Sequence, residues 1–254
     1  MKRIFTIIIS IVCLNICFES SAQSDVYLAP NPQTARWTYT ETDGNGKQVA
    51  TVYQSVESMT GDAINGNIKL RVKEVPMAST ADTIKSFMFY RFKNGEFMVD
   101  VSAGFEDTLF EGKLDSLVRK TINENYADLS EENKMDLIEK TKSEFLKTSG
   151  EPRGIPRYPK VGKLPDYEFH IKVSLISMKV IGEERRIVGR ESIQTQAGLF
   201  DCFILEETIT TKSMMMKEVE KIKSWYAYGI GLVKELTYDK NGKLISTMLL
   251  KEVN

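Results

Sequence analysis

Side chains that could do acid–base or nucleophilic chemistry are few and scattered in this chain. His170 is the only histidine, so a Ser-His or Cys-His pair would need that residue to lie by chance beside a nucleophile. Glu183-Glu184 and Glu206-Glu207 are neighbours in segments with strand periodicity, where adjacent side chains point to opposite faces. The sequence therefore predicts a non-enzymatic protein. A hydrolase that pairs carboxylates from separate strands is the remaining catalytic alternative.

Metal and cofactor sites are not indicated by the sequence. One cysteine and one histidine in the mature chain are too few for a structural zinc site. Asp43-x-Asn45 and Asp239-x-Asn241 begin like calcium loops, but lysine occupies the next ligand position and the distal glutamate is missing. We interpret both segments as turns, and we expect no cofactor because no glycine-rich nucleotide-binding motif occurs.

A methionine run is the most unusual feature among possible ligand contacts. Met214 and Met216 would share one face of a strand, and two thioether sulfurs are few ligands for a copper site. An adaptable lining for a ligand pocket is the interpretation that the sequence favours at these two positions.

The first 22 residues predict export. Lys2 and Arg3 precede an apolar run over residues 4–16, and small residues follow at 20–22, as in a signal peptide. Cleavage after Ala22 would leave 232 of the 254 residues. No later segment approaches the roughly 20 apolar residues of a membrane helix, so we expect no membrane span and a periplasmic or secreted location.

The charge balance limits the classes of partner, and the positions of the cysteines limit lipoprotein processing and thiol chemistry. Loss of the leader, with Lys2, Arg3 and Glu19, leaves 32 basic and 34 acidic residues, which does not favour nucleic acid or anionic lipid. Cys13 and Cys17 lie in the leader without the small-residue pattern of a lipoprotein cleavage site. Only Cys202 remains, and we expect it to be a buried and inert small hydrophobic residue.

Hydrophobic periodicity predicts strands in the first part of the chain and helices in the middle. Residues 35–101 alternate with period two and contain hairpin signals at 43–46 and 94–95. Residues 108–150 change to helical period, with Thr108 and Glu111 as a capping box before the first helix. Ser130 is predicted to cap the second helix and Gly150 to end it. The apolar residues expected to face the core are Leu114, Leu117, Val118, Ile122, Tyr126, Met135, Ile138 and Phe145.

The second half returns to strand periodicity after a proline cluster. Prolines 152, 156, 159 and 165 predict an extended surface connector over residues 151–165. Strands are expected from Tyr167 to Leu175, with His170 on the polar face, and near 185–195, 201–210, 217–226, 230–238 and 244–253.

The predicted fold class is β-rich α+β, with an antiparallel curved sheet or incomplete β-barrel and a two-helix insertion between two β halves. The domain organisation is a signal peptide at 1–22, an N-terminal β half with the helical insertion at 23–150, the connector at 151–165, and a C-terminal β half at 166–254. We expect the two halves to form one compact unit.

Four segments of the second half resemble the TapB-like family, a group of secreted and largely uncharacterised proteins. The segments are VGKLPD (161–166), GRESIQTQAGLFDCF (189–203), WYAYGIGLVK (225–234) and YDKNGKL (238–244). The chain departs from the family pattern at Gln196 and Leu199. The resemblance, which covers about residues 161–253, implies an exported antiparallel β domain of unknown function and supplies no catalytic residues. Its structural positions here are Gly162, Asp166, Gly198, Phe200, Asp201, Cys202, Trp225, Tyr226, Gly229 and Gly231.

Two functions follow from these features. The favoured one is an exported binding protein that holds a small apolar ligand in a sheet cavity lined by aromatic residues and methionines, including Met214 and Met216. The alternative is a packed structural or interaction module that contacts another envelope protein. The sequence leaves the oligomeric state open.

Overall fold

The computed structural model describes residues 35–62, 64–78, 81–100, 103, 113–151, 153–173, 176–213 and 216–254, and β-strands dominate them. The strands are β1 Arg36–Asp43, β2 Gln48–Gly61, β3 Gly66–Pro76, β4 Ile84–Lys93, β5 Glu96–Val99, β6 Leu146–Gly150, β7 Ile155–Pro156, β8 Gly162–Lys163, β9 Tyr167–Val173, β10 Ile176–Thr195, β11 Gly198–Ser213, β12 Lys217–Ala227, β13 Gly231–Asp239 and β14 Leu244–Val253.

All of these strands belong to one antiparallel sheet, curved and open. Its order is β6-β9-β10-β11-β12-β13-β14-β1-β2-β3-β4-β5-β7, and β8 pairs with β10 beside this path. The last strand, β14, pairs with β1, so strands from the two halves of the chain lie side by side. The predicted curved antiparallel sheet is confirmed, and the structure shows that the sheet does not close on itself.

The core lies on the inner face of this sheet, as the alternating pattern predicts. In β3, Ile68, Leu70 and Val72 are buried, while Lys69 and Arg71 between them point outward. The same alternation places Leu205 on β11 and Leu250 on β14 in one continuous hydrophobic cluster. We call the side of the sheet that carries these apolar residues the inner face and the opposite side the outer face.

Hairpin turns form where the sequence predicts them. Asn94 and Gly95 have φ values of 54° and 75°, which two-residue hairpins of this hand require. The Asp43 carboxylate accepts hydrogen bonds from the backbone N–H groups of Asn45 and Lys47, and Asp239 makes the corresponding bonds in its own turn. The turn interpretation of both calcium-like segments is therefore confirmed.

Two helices lie between the β halves, as predicted. They are α1 Lys113–Asn125 and α2 Glu131–Phe145. The Ser130 hydroxyl accepts a hydrogen bond of 3.3 Å from the backbone N–H of Asn133, which confirms the predicted N-cap. Ile122 and Ile138 are buried. Within the described residues, neither helix combines the length and the hydropathy of a membrane span.

Other details of the helical prediction are wrong. Met135 and Tyr126 are 44% and 49% exposed, because α1 and α2 pack mainly against each other and form too small a unit to bury every apolar position. Gly150 does not follow a helix, since β6 begins directly after α2 and Gly150 ends that strand with φ 78°. The predicted capping box at Thr108 and Glu111 lies outside the described residues.

The connector differs from the prediction of an extended surface segment. Its residues Ile155 and Leu164 are buried in the core, and its short strands β7 and β8 pair with β5 and β10. Two-residue strands at the sheet edges tolerate the prolines between them, because edge strands need few backbone donors. A Cβ on Gly154 would collide with the backbone of Phe97, so glycine permits this close approach. The connector thus links β5, next to the end of the sheet that β7 forms, to β10, the third strand from the other end.

Candidate functional site

A groove of about 900 Å³ lies along β8, β10, β11 and β12 and reaches Tyr238 on β13. Its size is typical of sites for small molecules. Charged residues from neighbouring strands line it together with apolar side chains, including Val161, Val188 and Ile222. Concave shape and mixed chemistry make this groove the candidate functional site.

A row of charged side chains crosses the outer face and lines the groove. Arg186, Glu206 and Lys223 stand directly opposite one another on β10, β11 and β12. The Glu206 carboxylate accepts a hydrogen bond from Arg186 Nη2 at 2.7 Å and another from Lys223 Nζ at 3.0 Å. Partial burial would raise the pKa of Glu206, but these two hydrogen bonds outweigh it and hold that pKa below its usual value. Glu206 is therefore ionised and fixed by two cations at neutral pH.

The groove carries more positive than negative side chains. Five basic residues and three acidic residues line it. Lys221 is exposed and forms no ion pair with any described residue, and Lys163 reaches only the exposed Asp166, at 3.4 Å. Because Lys221 projects beside Tyr238 in the pairing of β12 with β13, a cation and an aromatic ring lie next to each other. This combination suits an anionic group attached to an apolar body.

A buried ion pair lies behind the charged row. The Arg185 guanidinium donates from Nε to Glu207 Oε2 at 2.9 Å and from Nη1 to the Pro165 carbonyl at 2.8 Å. Its Nη2 donates to the Gly154 carbonyl at 3.4 Å, and its Cζ lies 4.9 Å from the centroid of the Tyr167 ring. Arg185 and Glu207 are both buried, so this pair fastens the connector to β10 and β11.

A β-bulge explains why Arg185 and Arg186 take different roles. Glu183 pairs with Thr208 and Arg186 with Glu206, so β10 carries one more residue than β11 over this stretch. Glu184 in the bulge has φ 57°, and its carboxylate accepts a hydrogen bond of 2.8 Å from the Thr208 hydroxyl. The bulge turns Arg185 inward and leaves Arg186 on the outer face.

Residues singled out by the sequence lie mostly outside the groove. Gly162 lines the groove, and Asp166 forms an ion pair with the lining residue Lys163. Met216 is half-buried in the connection between β11 and β12 and does not line the groove. Met214 lies outside the described residues. Gly229 belongs to the turn between β12 and β13, and Gly231 opens β13. Both glycines thus belong to the hairpin connection between β12 and β13.

The start of β11 is structural in character. Gly198 opens the strand with φ 137°, while Phe200 is half-buried and Asp201 is exposed. Cys202 is fully buried, and burial raises the pKa of its thiol to about 12, so its predicted burial is confirmed. His170, also as predicted, lies on the polar face of β9, where its imidazole contacts Glu168 Oε1 at 2.8 Å.

Trp225 and Tyr226 are both buried, although the sequence requires only one of two adjacent strand residues to face the core. The Trp225 indole N–H donates to Glu191 Oε2 at 2.7 Å, and Lys234 Nζ lies 4.7 Å from the centroid of its ring. Polar side chains therefore cover Trp225 on the outer face, while Tyr226 packs against Phe203 on the inner face.

Sequence reasoning missed Arg185 and Glu207. The signal was present in the like-charge doublets at 185–186 and 206–207, because one member of each doublet on a strand must point toward the core. Among the described residues, no group of three or more histidine, cysteine or carboxylate side chains could hold a metal ion.

Two solved structures share this fold. A protein named as a candidate lipoprotein from Parabacteroides distasonis ATCC 8503 is 18% identical, with a TM-score of 0.58, over 91% of this chain and 100% of that one. A protein named as a candidate exported protein with a YmcC-like fold, from Bacteroides fragilis NCTC 9343, is 14% identical, with a TM-score of 0.56, over 90% of this chain and 99% of that one. No curated protein sequence matches the chain.

The family match covers the part of the chain that builds the groove. It overlaps the range of the TapB-like resemblance but carries a different family name, so the TapB-like assignment is not confirmed. Residues 159–250, which contain β8 to β13 and most of β14, match the family of DUF3108-like proteins.

Proposed function

We propose that this chain is an exported, non-enzymatic protein of the cell envelope that binds a small amphipathic molecule with an acidic group. The observation that carries the proposal is the groove of about 900 Å³ with five basic and three acidic lining residues. Concave sites of this size with apolar walls and a few convergent polar groups are the usual places for small ligands.

The groove offers separate contacts for the two ends of such a ligand. Lys221 and Lys163 are exposed cations at its rim, and they supply attraction for a carboxylate, sulfonate or phosphate group. Tyr238 and the exposed Val161 supply apolar contact for the remainder of the molecule. The Arg186–Glu206–Lys223 network is already formed without ligand, which lowers the cost of ordering these side chains on binding.

The proposed ligand position differs from the one that the sequence favoured. The inner face at β11 to β14 is filled by side chains with no exposure, such as Tyr226, Val233 and Leu250, so this part of the sheet leaves little room for an apolar ligand. A fully packed envelope module that contacts a protein partner is the second candidate, and the close packing of this inner face favours it.

Export is supported by the leader pattern at residues 1–22, which lies outside the described residues, and by the names of the two structural neighbours. The match to DUF3108-like proteins over residues 159–250 does not indicate an activity. Membership in the TapB-like family and a periplasmic or secreted location remain predictions.

A dye-binding experiment tests the proposed function. The mature protein is titrated with 1-anilinonaphthalene-8-sulfonate, an anionic apolar dye, and bound dye is then displaced with dodecanoate. We expect saturable binding that the fatty acid reverses. Lys221→Glu should weaken it by about tenfold or more, because the substitution replaces the attraction of an unpaired cation with repulsion.

Lys251→Glu on β14 is the matched control, since Lys251 is an exposed strand lysine that does not line the groove. It makes the same charge change and should leave dye affinity within about twofold, as expected for a screened charge remote from the site. Absence of saturable binding to the folded wild type would favour the packed module. Equal losses in both variants would show that net charge, and not the groove, governs uptake.

A further inference from the structure

A second group of charged side chains lies on the outer face, on β3 and β4. Lys69, Arg71 and Lys73 alternate with the buried residues of β3 and share its outer face. Lys85 on β4 stands directly opposite Lys73. We call the following residues of β2, β3 and β4 the basic face: Tyr53, Lys69, Arg71, Lys73, Lys85, Phe87 and Phe89. In the sheet order β3 is four strands beyond β13, where the groove ends, which is about 19 Å at roughly 4.8 Å per strand.

The basic face concentrates positive charge. It holds four cations, and Glu57 in the bulge of β2 pairs with one of them, Arg71. Asp100, which follows β5, is paired instead with Arg91 on β4. The mature chain carries 32 basic and 34 acidic residues, so this excess is local and does not reflect the net charge. A local positive field of this kind attracts anionic partners.

The pairing of β3 with β4 keeps two like charges face to face. Lys73 and Lys85 are both exposed and stand directly opposite each other in this antiparallel pair. Like charges in that position destabilise a sheet, because their repulsion is not offset by any contact between the two side chains. A surface that gives up stability in this way is expected where the charge serves binding.

Aromatic rings hold the ammonium groups of the basic face in place. Lys69 Nζ lies 4.0 Å from the centroid of the Phe87 ring and 5.3 Å from that of Phe89. Lys73 Nζ lies 5.7 Å from the centroid of the Tyr53 ring. These cation–π contacts lower the cost of ordering the lysines on binding. Because Phe87 and Phe89 are half-buried beneath a cation, they do not project as wedges into a bilayer or as platforms for nucleic-acid bases.

The shape of the basic face suits a chain molecule. Its three cations on β3 follow one another at intervals of roughly 7 Å, because residues two apart on a strand share a face. Ser55 on β2 stands opposite Arg71, and Ser58 stands opposite Lys69, so hydroxyl groups run beside the cations. The outer face of a curved sheet is convex, so a flat bilayer would touch few of these side chains, whereas a flexible chain follows the whole row.

We propose that the basic face binds an acidic polysaccharide, a chain of sugars that carry sulfate or carboxylate groups. The lysines and Arg71, whose side chain is 60% exposed, attract these groups and donate hydrogen bonds to them. The hydroxyls of Ser55 and Ser58 exchange hydrogen bonds with sugar hydroxyls. The ring of Tyr53, which is 44% exposed, offers apolar contact to a sugar ring. This proposal does not depend on the groove.

Fluorescence anisotropy with labelled dextran sulfate tests the proposal on the mature protein, with neutral dextran of the same length as the uncharged probe. We expect saturable binding of dextran sulfate, weakened about tenfold or more between about 0.05 M and about 0.5 M salt, and no binding of neutral dextran. Lys73→Glu should weaken binding by about tenfold or more, because repulsion replaces attraction. The same variant should unfold at an equal or higher urea concentration, because a glutamate opposite Lys85 removes the like-charge pair.

Lys172→Glu on β9 is the matched control, because Lys172 is exposed and stands opposite another exposed lysine, Lys147, outside the basic face. It should leave affinity within about twofold of the wild type. Failure of the folded wild type to bind dextran sulfate at low salt would overturn the proposal, and so would equal losses in Lys73→Glu and Lys172→Glu. Tighter binding of oligothymidylate or of phosphatidylglycerol vesicles than of dextran sulfate would also overturn it. None of these results measures dye uptake by the groove, so the two proposals fail separately.

Discussion

Replacement of Arg185 by methionine tests the buried ion pair that joins the connector to the sheet. Methionine keeps much of the side-chain length but removes the hydrogen bonds to Glu207 at 2.9 Å and to the Pro165 carbonyl at 2.8 Å. Glu207 would then carry an unpaired carboxylate in a buried place. Loss of one partner from a buried pair costs about 3 to 5 kcal/mol, so we expect the free energy of unfolding to fall by this amount.

The neighbouring arginine provides a matched control. Arg186 pairs with Glu206 at 2.7 Å, a comparable distance, but its side chain is 61% exposed. Exposed pairs contribute about 0 to 1 kcal/mol, so Arg186→Met should change the free energy of unfolding by no more than that. Urea denaturation followed by tryptophan fluorescence at pH 7 measures both variants, since Trp225 is buried in the core cluster.

A double variant separates the cost of the unpaired charge from the loss of packing. In Arg185→Met with Glu207→Met no charge remains buried, and more than half of the lost stability should return, because apolar replacement of a buried pair is often neutral. Two results would refute the reasoning: Arg185→Met no less stable than Arg186→Met, or a double variant as unstable as the two single losses combined.

The remaining predictions concern pH, single residues and export. Burial raises the pKa of Glu220 from 4.5 to about 7, so the folded state binds its proton more tightly, and unfolding free energy should fall by up to roughly 3 kcal/mol as pH rises from 5 to 7.5 in urea melts. Trp225→Ala should cost about 3 to 5 kcal/mol and His170→Ala no more than about 0.5 kcal/mol, and the reverse order would contradict the observed packing. Cys202→Ser should cost about 1 to 3 kcal/mol, because a hydroxyl would replace a fully buried thiol. N-terminal sequencing of exported protein should begin at Gln23, and an intact Met1 would remove the argument for export.

Period-two alternation was sufficient to predict the curved antiparallel sheet and its hairpins, since strands with one buried face show it residue by residue, as in Ile68 to Lys73. The positions of the helices could also be predicted, from the helical period of their apolar residues and from the N-cap at Ser130. Both signals are local, so they fix which elements form but not which of them meet.

Long-range pairing accounts for what the sequence did not predict. The proline cluster indicates an irregular segment, yet Ile155 and Leu164 are buried because β7 pairs with β5 and β8 pairs with β10. The inward direction of Arg185 depends on one extra residue in β10 relative to β11, and no local pattern shows the register of two strands. Burial of Trp225 on the outer face likewise requires Glu191 from another strand.

The groove depends on the charged doublets at 185–186 and 206–207, because all four residues line it. Alternation along paired strands sends Arg186 and Glu206 to the outer row and Arg185 and Glu207 to the inner face. The hydrogen bonds from Arg186 and Lys223 hold the pKa of Glu206 below its usual value, so its charge does not change between pH 6 and pH 8. We therefore expect dye binding in the groove to stay within about twofold between these two pH values, and a large change would refute the assignment of the dye to this charged row.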